Sequence, residues 1–477
     1  MHEISRLASE VPGLDQVLAG GFVHGASYII QGQPGAGKTI LSNQIAFNHI
    51  ARGGRVLYVT LLSESHDRLF QALSGLEFFD KDRLGDEIAY VSVFQPLRSE
   101  GLEAVVKLLR RETKRQKATL LVFDGLLNAR DRADSDFDVK TFVAEVQGQA
   151  AFVGCTVLFL TSASADDTSP EHTMVDGVID LVDTLAGVRT VRQLRVRKSR
   201  GSRAISGLHS FEITDKGIEV YPRIEALPAE PASSGAETSG RLTSGSARLD
   251  GLIGGGLPTG SVTLVSGPTG SGKTTLGLQF LAQSSEKEPG LHFGFFENES
   301  RLRAKAKTLG IELPGYDAAH FVVQHSPLTE NILDKLAHRL LNLAETHNVR
   351  RLFIDGLGGF ERAAVHPPRM IPFFAMLTNR LRELGVTTLA TWEIREIVSR
   401  EVVAPSNDVS AVLDNLILLR QFEEDHELKR SISVQKMRDS GFNPAAHCVI
   451  IADGGLKIGD PLSTVAPLSA SSLPPAD

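Results

Sequence analysis

Cysteine is nearly missing from this chain: its 477 residues hold only Cys155 and Cys448. The two lie far apart, each inside an apolar run, so neither a four-cysteine zinc ribbon nor a disulfide framework can form within one chain. Both are expected to be buried thiols of a reducing compartment. An excess of positive charge is missing too. Lys+Arg minus Asp+Glu is 50 − 57 = −7, which argues against a surface devoted to nucleic acid, although a local basic stripe would survive that average. The opening residues, Met1 to Arg6, have no apolar h-region, so no secretion signal is expected. No apolar run approaches the roughly 20 residues that span a bilayer. With 42% hydrophobic and 22% charged residues, the composition is that of an ordinary globular protein, expected in the cytoplasm and long enough for several domains.

What the sequence does contain is a repeat. Arg6-Leu7-Ala8-Ser9 recurs as Arg241-Leu242-Thr243-Ser244, and Leu14-Asp15 with Ala19-Gly20-Gly21-Phe22 recurs as Leu249-Asp250 with Gly254-Gly255-Gly256-Leu257. Two glycine-rich loops begin at Gly32 and Gly267, and 267 − 32 = 235 is the same offset as 241 − 6. So long a period means two whole domains rather than a solenoid. The expected division is a first domain at 1–227, a linker rich in Pro, Ala, Ser and Gly at 228–240, a second domain at 241–459 and a disordered tail at 460–477. In each half, amphipathic stretches alternate with short apolar runs. Leu102, Val105, Val106 and Leu109 precede Leu120 to Asp124, and Leu333, Leu336, Leu340 and Leu343 precede Arg351 to Asp355. That alternation predicts an α/β fold in each half, with a mainly parallel sheet covered on both faces.

Gly32-Gln33-Pro34-Gly35-Ala36-Gly37-Lys38-Thr39 fits the phosphate-loop pattern G-x-x-x-x-G-K-[ST]. Gly267-Pro268-Thr269-Gly270-Ser271-Gly272-Lys273-Thr274, followed by Thr275, fits it as well. Glycines let the backbone curl until successive N–H groups face a phosphate. The lysine reaches the β- and γ-phosphates of ATP, and the hydroxyl of Thr39 or Thr274 can ligate Mg²⁺. An apolar stretch leads into each loop and a helical one leads out, which would set a helix N-terminus under the anion. Asp124 and Asp355 each end an apolar strand and are followed by Gly-Leu. Downstream of a phosphate loop, an acid there can hold the hydration shell of Mg²⁺. Two matches at one repeat offset set aside the bland alternative of ordinary glycine-rich turns.

The opening pattern, the phosphate loops and the Asp-Gly strands together resemble the RecA superfamily. The tandem arrangement resembles the KaiC family of circadian-clock ATPases and their bacterial relatives over nearly the whole chain. The resemblance implies two tandem RecA-like domains, ATP and Mg²⁺ as ligands, and a homo-oligomer in the form of a hexameric double ring with an unidentified regulatory protein partner. Lys198-Ser199-Arg200 and Lys436-Met437-Arg438 are similar to the family's Lys-x-Arg element, which reaches across a subunit interface to the neighbour's γ-phosphate. On composition alone the first of these is a solvated charged strand; its recurrence in the second half favours the functional reading.

A RecA-like ATPase needs a carboxylate after the second strand to orient and deprotonate water. KaiC resemblance implies two adjacent glutamates there, and the chain departs from that: the second half has Glu297-Asn298-Glu299, and the first has Glu64 alone. Ungapped counting pairs Glu64 with Glu299, whereas strand-end matching favours Glu297. Glu64 and Glu297 are taken as the expected bases, with Glu299 in reserve. Asn407 to Asp414 resembles the KaiC segment in which neighbouring Ser and Thr accept phosphate. Ser410 falls on the Ser position, but Ala411 replaces the Thr, so Ser410 is the single candidate phosphoacceptor of a serine autokinase activity. Two alternatives stand beside a KaiC-like ATPase: a RecA/RadA-type repair or recombination ATPase, and a module that holds ATP but barely hydrolyses it. The first would show a DNA loop rich in basic and aromatic residues, a zinc ribbon or an accessory module. None is evident, so nucleic acid is not an expected partner.

Overall fold

The computed structural model describes residues 5–61, 66–126, 136–162, 170–228, 240–394, 412–424, 426–438 and 440–462. The chain divides into two compact units, Met1–Leu227 and Pro228–Asp477. Most of the expected linker and tail, at 229–239 and 463–477, lies outside the described residues. Among the described residues no helix is long and apolar enough to cross a membrane.

The strands of the first unit are β1 (Arg6–Leu7), β2 (Phe22–Val23), β3 (Ser27–Gly32), β4 (Val56–Thr60), β5 (Ile88–Ser92), β6 (Leu120–Asp124), β7 (Thr156–Thr161), β8 (Gly177–Ala186), β9 (Arg189–Ser199), β10 (His209–Thr214) and β11 (Gly217–Tyr221). Those of the second are β12 (Arg241–Leu242), β13 (Leu257–Pro258), β14 (Val262–Gly267), β15 (Gly290–Gly294), β16 (Phe321–His325), β17 (Arg351–Asp355), β18 (Thr387–Glu393), β19 (Asn415–Glu424), β20 (Glu427–Lys436), β21 (His447–Ala452) and β22 (Gly455–Pro461). Each unit has one nine-stranded sheet, ordered β5-β4-β6-β7-β3-β8-β9-β10-β11 and β16-β15-β17-β18-β14-β19-β20-β21-β22. Adding 11 to each label of the first order gives the second. In both, the six strands up to β8 or β19 run parallel and the last three join antiparallel.

The parallel strands are apolar on both faces because helices cover both. In the first sheet, Tyr28, Ile30, Tyr58 and Leu158 pack on one side with Leu41 and Ile45 of the helix Lys38–Ala51. Their alternate neighbours Ile29, Leu57, Phe123 and Phe159 pack on the other with Val105, Leu109, Phe142 and Val146. The repeated sequence signs at the domain starts are repeated hydrogen bonds. Arg6 donates to the carbonyls of Leu18 and Gly21 (3.3 and 2.9 Å), and Arg241 to those of Ile253 and Gly256 (3.1 and 2.8 Å). Asp15 accepts from the Ser9 amide, and Asp250 from the Ser244 amide, both at 2.8 Å. Charge-assisted bonds of this kind contribute about 1.5–3 kcal/mol each, enough to pin a leading segment whose ladder is only two residues long.

Two details depart from expectation. The last strand runs to Pro461, into the stretch assigned to the tail. Of the two cysteines, Cys155 is buried and its thiol is pushed up to about 12, but Cys448 is only half-buried, because β21 lies in the outer antiparallel part of the sheet.

One core position carries a cost. His292 on β15 faces Phe353 of β17 edge-on at 5.5 Å, is 1% exposed, and neither ring nitrogen has a hydrogen-bond partner in the protein. Its register mate in the first sheet is Tyr58, which is satisfied by Ser42 and Asn43 at 2.9 and 3.0 Å. Burial pushes the His292 imidazole down to about 3, and the nearby His325 and Lys305 add to the effect. The folded value lies below the unfolded one, near 6.5. The unfolded chain therefore takes the proton first as pH falls, and stability present above about pH 6.5 is lost below it. Between pH 7 and pH 5, wild type is expected to lose about 2 kcal/mol more unfolding free energy than His292→Leu. Urea titration of the second unit's transition at both pH values checks this; equal losses would contradict it.

Candidate active site

The phosphate loops leave the ends of the two central strands, β3 and β14, and run straight into helices Lys38–Ala51 and Lys273–Leu281. Each turn depends on glycine at two positions. A Cβ on Gly32 would sit 2.5 Å from the Leu181 carbonyl oxygen, and one on Gly267 would sit 2.6 Å from that of Leu419. Gly37 and Gly272 precede their helices at φ 99° and 104°, where an L side chain is strained, and neither gives a side-chain cap. The first-turn amides are left for an outside acceptor, the arrangement an anion exploits.

Inside each loop sits a lysine turned back on its own backbone. Lys38 Nζ donates to the carbonyls of Gly32 and Gln33 at 2.8 and 2.9 Å, and Lys273 Nζ to those of Gly267 and Pro268 at 2.7 and 2.8 Å. Burial pushes both ammonium groups down from the usual lysine range, while Asp124 and Asp355 oppose the shift in their respective units. Glu393 also opposes it in the second unit, where it accepts from the Thr269 hydroxyl. A desolvated cation whose recorded hydrogen bonds go to neutral carbonyls gains from a phosphate oxygen brought alongside it.

Beside each loop stands an acid and hydroxyl pair. Thr39 Oγ1 donates to Asp124 Oδ2 at 3.2 Å, and Thr274 Oγ1 donates to Asp355 Oδ2 at 3.2 Å. Thr391 adds a second hydroxyl to Asp355 at 3.0 Å. Burial holds both carboxyls above the usual carboxylate range, and these hydroxyl bonds pull back against it. A divalent cation would supply the charge that burial withholds. Among the described residues no cluster of three His, Cys, Asp or Glu could hold a metal. The carboxylate and hydroxyl pair itself is a donor set that would suit Mg²⁺, which takes one or two protein oxygens and fills its shell with phosphate and water.

The two glutamates of the second unit part company. Glu299 opens the helix Glu299–Thr308, where Arg303 donates to its Oε1 at 2.8 Å; the Arg303 guanidinium also lies over the Tyr316 ring at 4.0 Å. Glu297 lies beyond the end of β15, and its charge is felt by Asp355. Its Oε1 accepts from Lys305 at 2.6 Å, and its Oε2 is buried with no hydrogen-bond partner in the protein. Glu64 and Ser410 lie outside the described residues. In the first unit, Thr60 ends β4 opposite Asp124, and its hydroxyl meets His66 Nε2 at 2.8 Å. Sequence reading missed Lys305, Thr391 and His66. No motif marks them; they reach the site only once their elements dock.

The Lys-x-Arg elements lie at the far end of the sheet from their own loops. Gly177 stands opposite both Tyr28 and Ser199. Arg200 is therefore level with the start of β3, about 16 Å along the strand from Gly32. In the second unit Leu416 stands opposite both Leu264 and Lys436, and Arg438 lies two residues further from the loop. Lys198 donates to the carbonyls of His172 and Val175 at 2.9 and 2.6 Å, Lys436 to that of Leu413 at 2.7 Å, and Arg438 to Asp414 at 3.2 Å.

Comparison with known proteins agrees with this duplicated layout. The family model for the ATPase KaiC matches residues 7–225 and 242–463, one match per unit. The circadian clock oscillator protein KaiC of Synechococcus elongatus is 26% identical over 96% of this chain and 89% of its own length. The circadian clock protein KaiC3 of a Synechocystis strain is 26% identical over 98% and 94%. That of Acaryochloris marina, a further circadian clock oscillator protein KaiC, is 25% identical over 92% and 85%.

The acid and hydroxyl pair generates a test. In a Lys38→Ala chain, where the first loop is disabled, adding Asp355→Asn should raise the Mg²⁺ concentration for half-maximal phosphate release about tenfold or more. An unchanged Mg²⁺ requirement in a titration of phosphate release would remove Asp355 from the metal site.

Proposed function

The chain belongs to the KaiC family of ATPases, and from that premise we propose that it works in the cytoplasm as a nucleotide-assembled homohexamer in which each ATP site is completed by a neighbouring subunit. It is a KaiC-like ATPase with tandem ATPase domains. The observation that carries the proposal is the strand register: Arg200 and Arg438 sit at the end of their sheets remote from their own phosphate loops. Two arginines placed alike in both units, yet too far to serve their own nucleotide, fit a site shared between protomers. A ligand held by two subunits stabilises their association by mass action.

Within each site the chain's own groups divide the work. The loop amides and Lys38 or Lys273 bind and orient the phosphates. Thr39 with Asp124, and Thr274 with Asp355, would hold Mg²⁺, which when bound neutralises charge on the phosphates. Glu297 is the base of the second site: its Oε2 is buried without a protein partner and so has a lone pair left for a water's proton, whereas Arg303 engages Glu299. Glu64 remains the candidate base of the first site on sequence grounds. Serine autokinase activity rests on Ser410 and on the sequence alone. Intact mass after prolonged incubation with Mg-ATP tests it, since wild type but not Ser410→Ala should gain one phosphate. The fold itself names no regulatory partner and no clock role, because RecA-like domains serve many functions.

Shared sites can be tested by mixing. Lys38→Ala and Arg200→Ala each damage the first site in different protomers, so mixed rings should contain some intact composite sites. Phosphate release at the first site should therefore rise above that of either parent. A mixture no more active than its parents would remove the support for completion in trans.

A further inference from the structure

We infer that Lys305 is the positioning residue of the second site, holding one oxygen of Glu297 so that the other is presented to water. This rests on the reading of Glu297 as the base. The geometry has three parts. Lys305 Nζ donates to Glu297 Oε1 at 2.6 Å, leaving Oε2 buried and without a protein partner. Both side chains act electrostatically on Asp355, in opposite senses, which places the pair beside the metal acid rather than on a remote surface. Lys305 itself is carried on a firm mount. The helix Glu299–Thr308 is capped by Asn298, which accepts from the Arg301 amide, and is seated through Leu302 and Ala306, which are 0% and 1% exposed.

A carboxylate with two free oxygens rotates and divides its time between orientations. Fixing one oxygen to an ammonium removes that freedom. The same helix disposes of the competing acid, because Arg303 binds Glu299 from two residues before Lys305. Among the described residues the pair occurs in the second unit. The matching helix of the first unit, Asp67–Leu73, reads Asp-Arg-Leu-Phe-Gln-Ala-Leu and has no lysine, and there Thr60 is bonded to His66 instead.

The test uses the full chain carrying Lys38→Ala, so that turnover reports the second site. Lys305→Met is expected to lower kcat about 10- to 100-fold while KM for Mg-ATP changes less than about threefold, since the ion pair touches no phosphate. Lys305→Arg should recover most of that loss. Glu297→Gln should cost about 10²-fold or more, and adding Lys305→Met to it should cost nothing further, because both changes disable one unit. Lys305→Gln replaces the methionine variant if the latter does not fold, with the same order expected. If kcat survives Lys305→Met but not Glu297→Gln, the positioning role is overturned and the base stands. If Glu297→Gln itself is harmless, the base was misassigned. Full additivity in the double variant would show that Lys305 does not act through Glu297.

Discussion

Each half of the chain is organised around a desolvated ammonium ion, buried at Lys38 and half-buried at Lys273, that donates to two backbone carbonyl oxygens and, among the described residues, forms no ion pair. Lys38 and Lys273 pay the desolvation of a charge inside their loops and recover it only in part from two backbone acceptors each. The remaining deficit is what a phosphate oxygen brought alongside would make good. Much else follows from placing that charge correctly. The central strand must be fully buried, so that the loop emerges at the end of the parallel sheet. The helix must begin at once, so that its free amides point the same way. Glycine must stand where neighbouring carbonyls leave no room for a Cβ.

The repeat shows how strictly this frame is held while other features drift. The arginine clamp of the leading segment and its aspartate recur at an offset of 235, with distances that differ by no more than 0.2 Å. The final hairpin is held in the same manner: Gln44 exchanges bonds with Ile218, and Gln279 with Leu456. Yet at one register position the first sheet has a satisfied tyrosine, Tyr58, and the second a histidine, His292, whose ring nitrogens have no hydrogen-bond partner among the described residues. At the end of β4, Thr60 is bonded to His66, whereas its register counterpart on β15 is Gly294 and the Glu297–Lys305 pair lies beyond the strand. The loop frame is common to the two units; the side chains at these described positions are not.

That division also sets what could be read from the sequence. The loops, Asp124 and Asp355 were legible because their chemistry is local: each motif is contiguous, and the strand and helix beside it announce themselves by periodicity. The mainly parallel sheet was legible for the same reason. The partners of Glu297 and Glu299 were not, because which of them Arg303 engages and which Lys305 engages is a matter of helix docking. Lys305 is eight residues from its partner and carries no motif at all. Burial of Cys448 was misjudged because an apolar run looks alike in a central strand and in the outer antiparallel part of a sheet. Nor could spacing alone reveal that Arg200 stands at the wrong end of its own sheet; that needed the strand pairing.

The central claim is that one chain holds two independent receptors for nucleotide, each dependent on its own loop lysine. Counting nucleotide released from denatured, saturated protein tests it most directly, in wild type, Lys38→Ala, Lys273→Ala and the double variant. The account predicts two bound nucleotides per wild-type chain, about one in each single variant and none in the double, since each loop loses the charge that complements phosphate. A single variant that still holds two nucleotides per chain at saturation would contradict it.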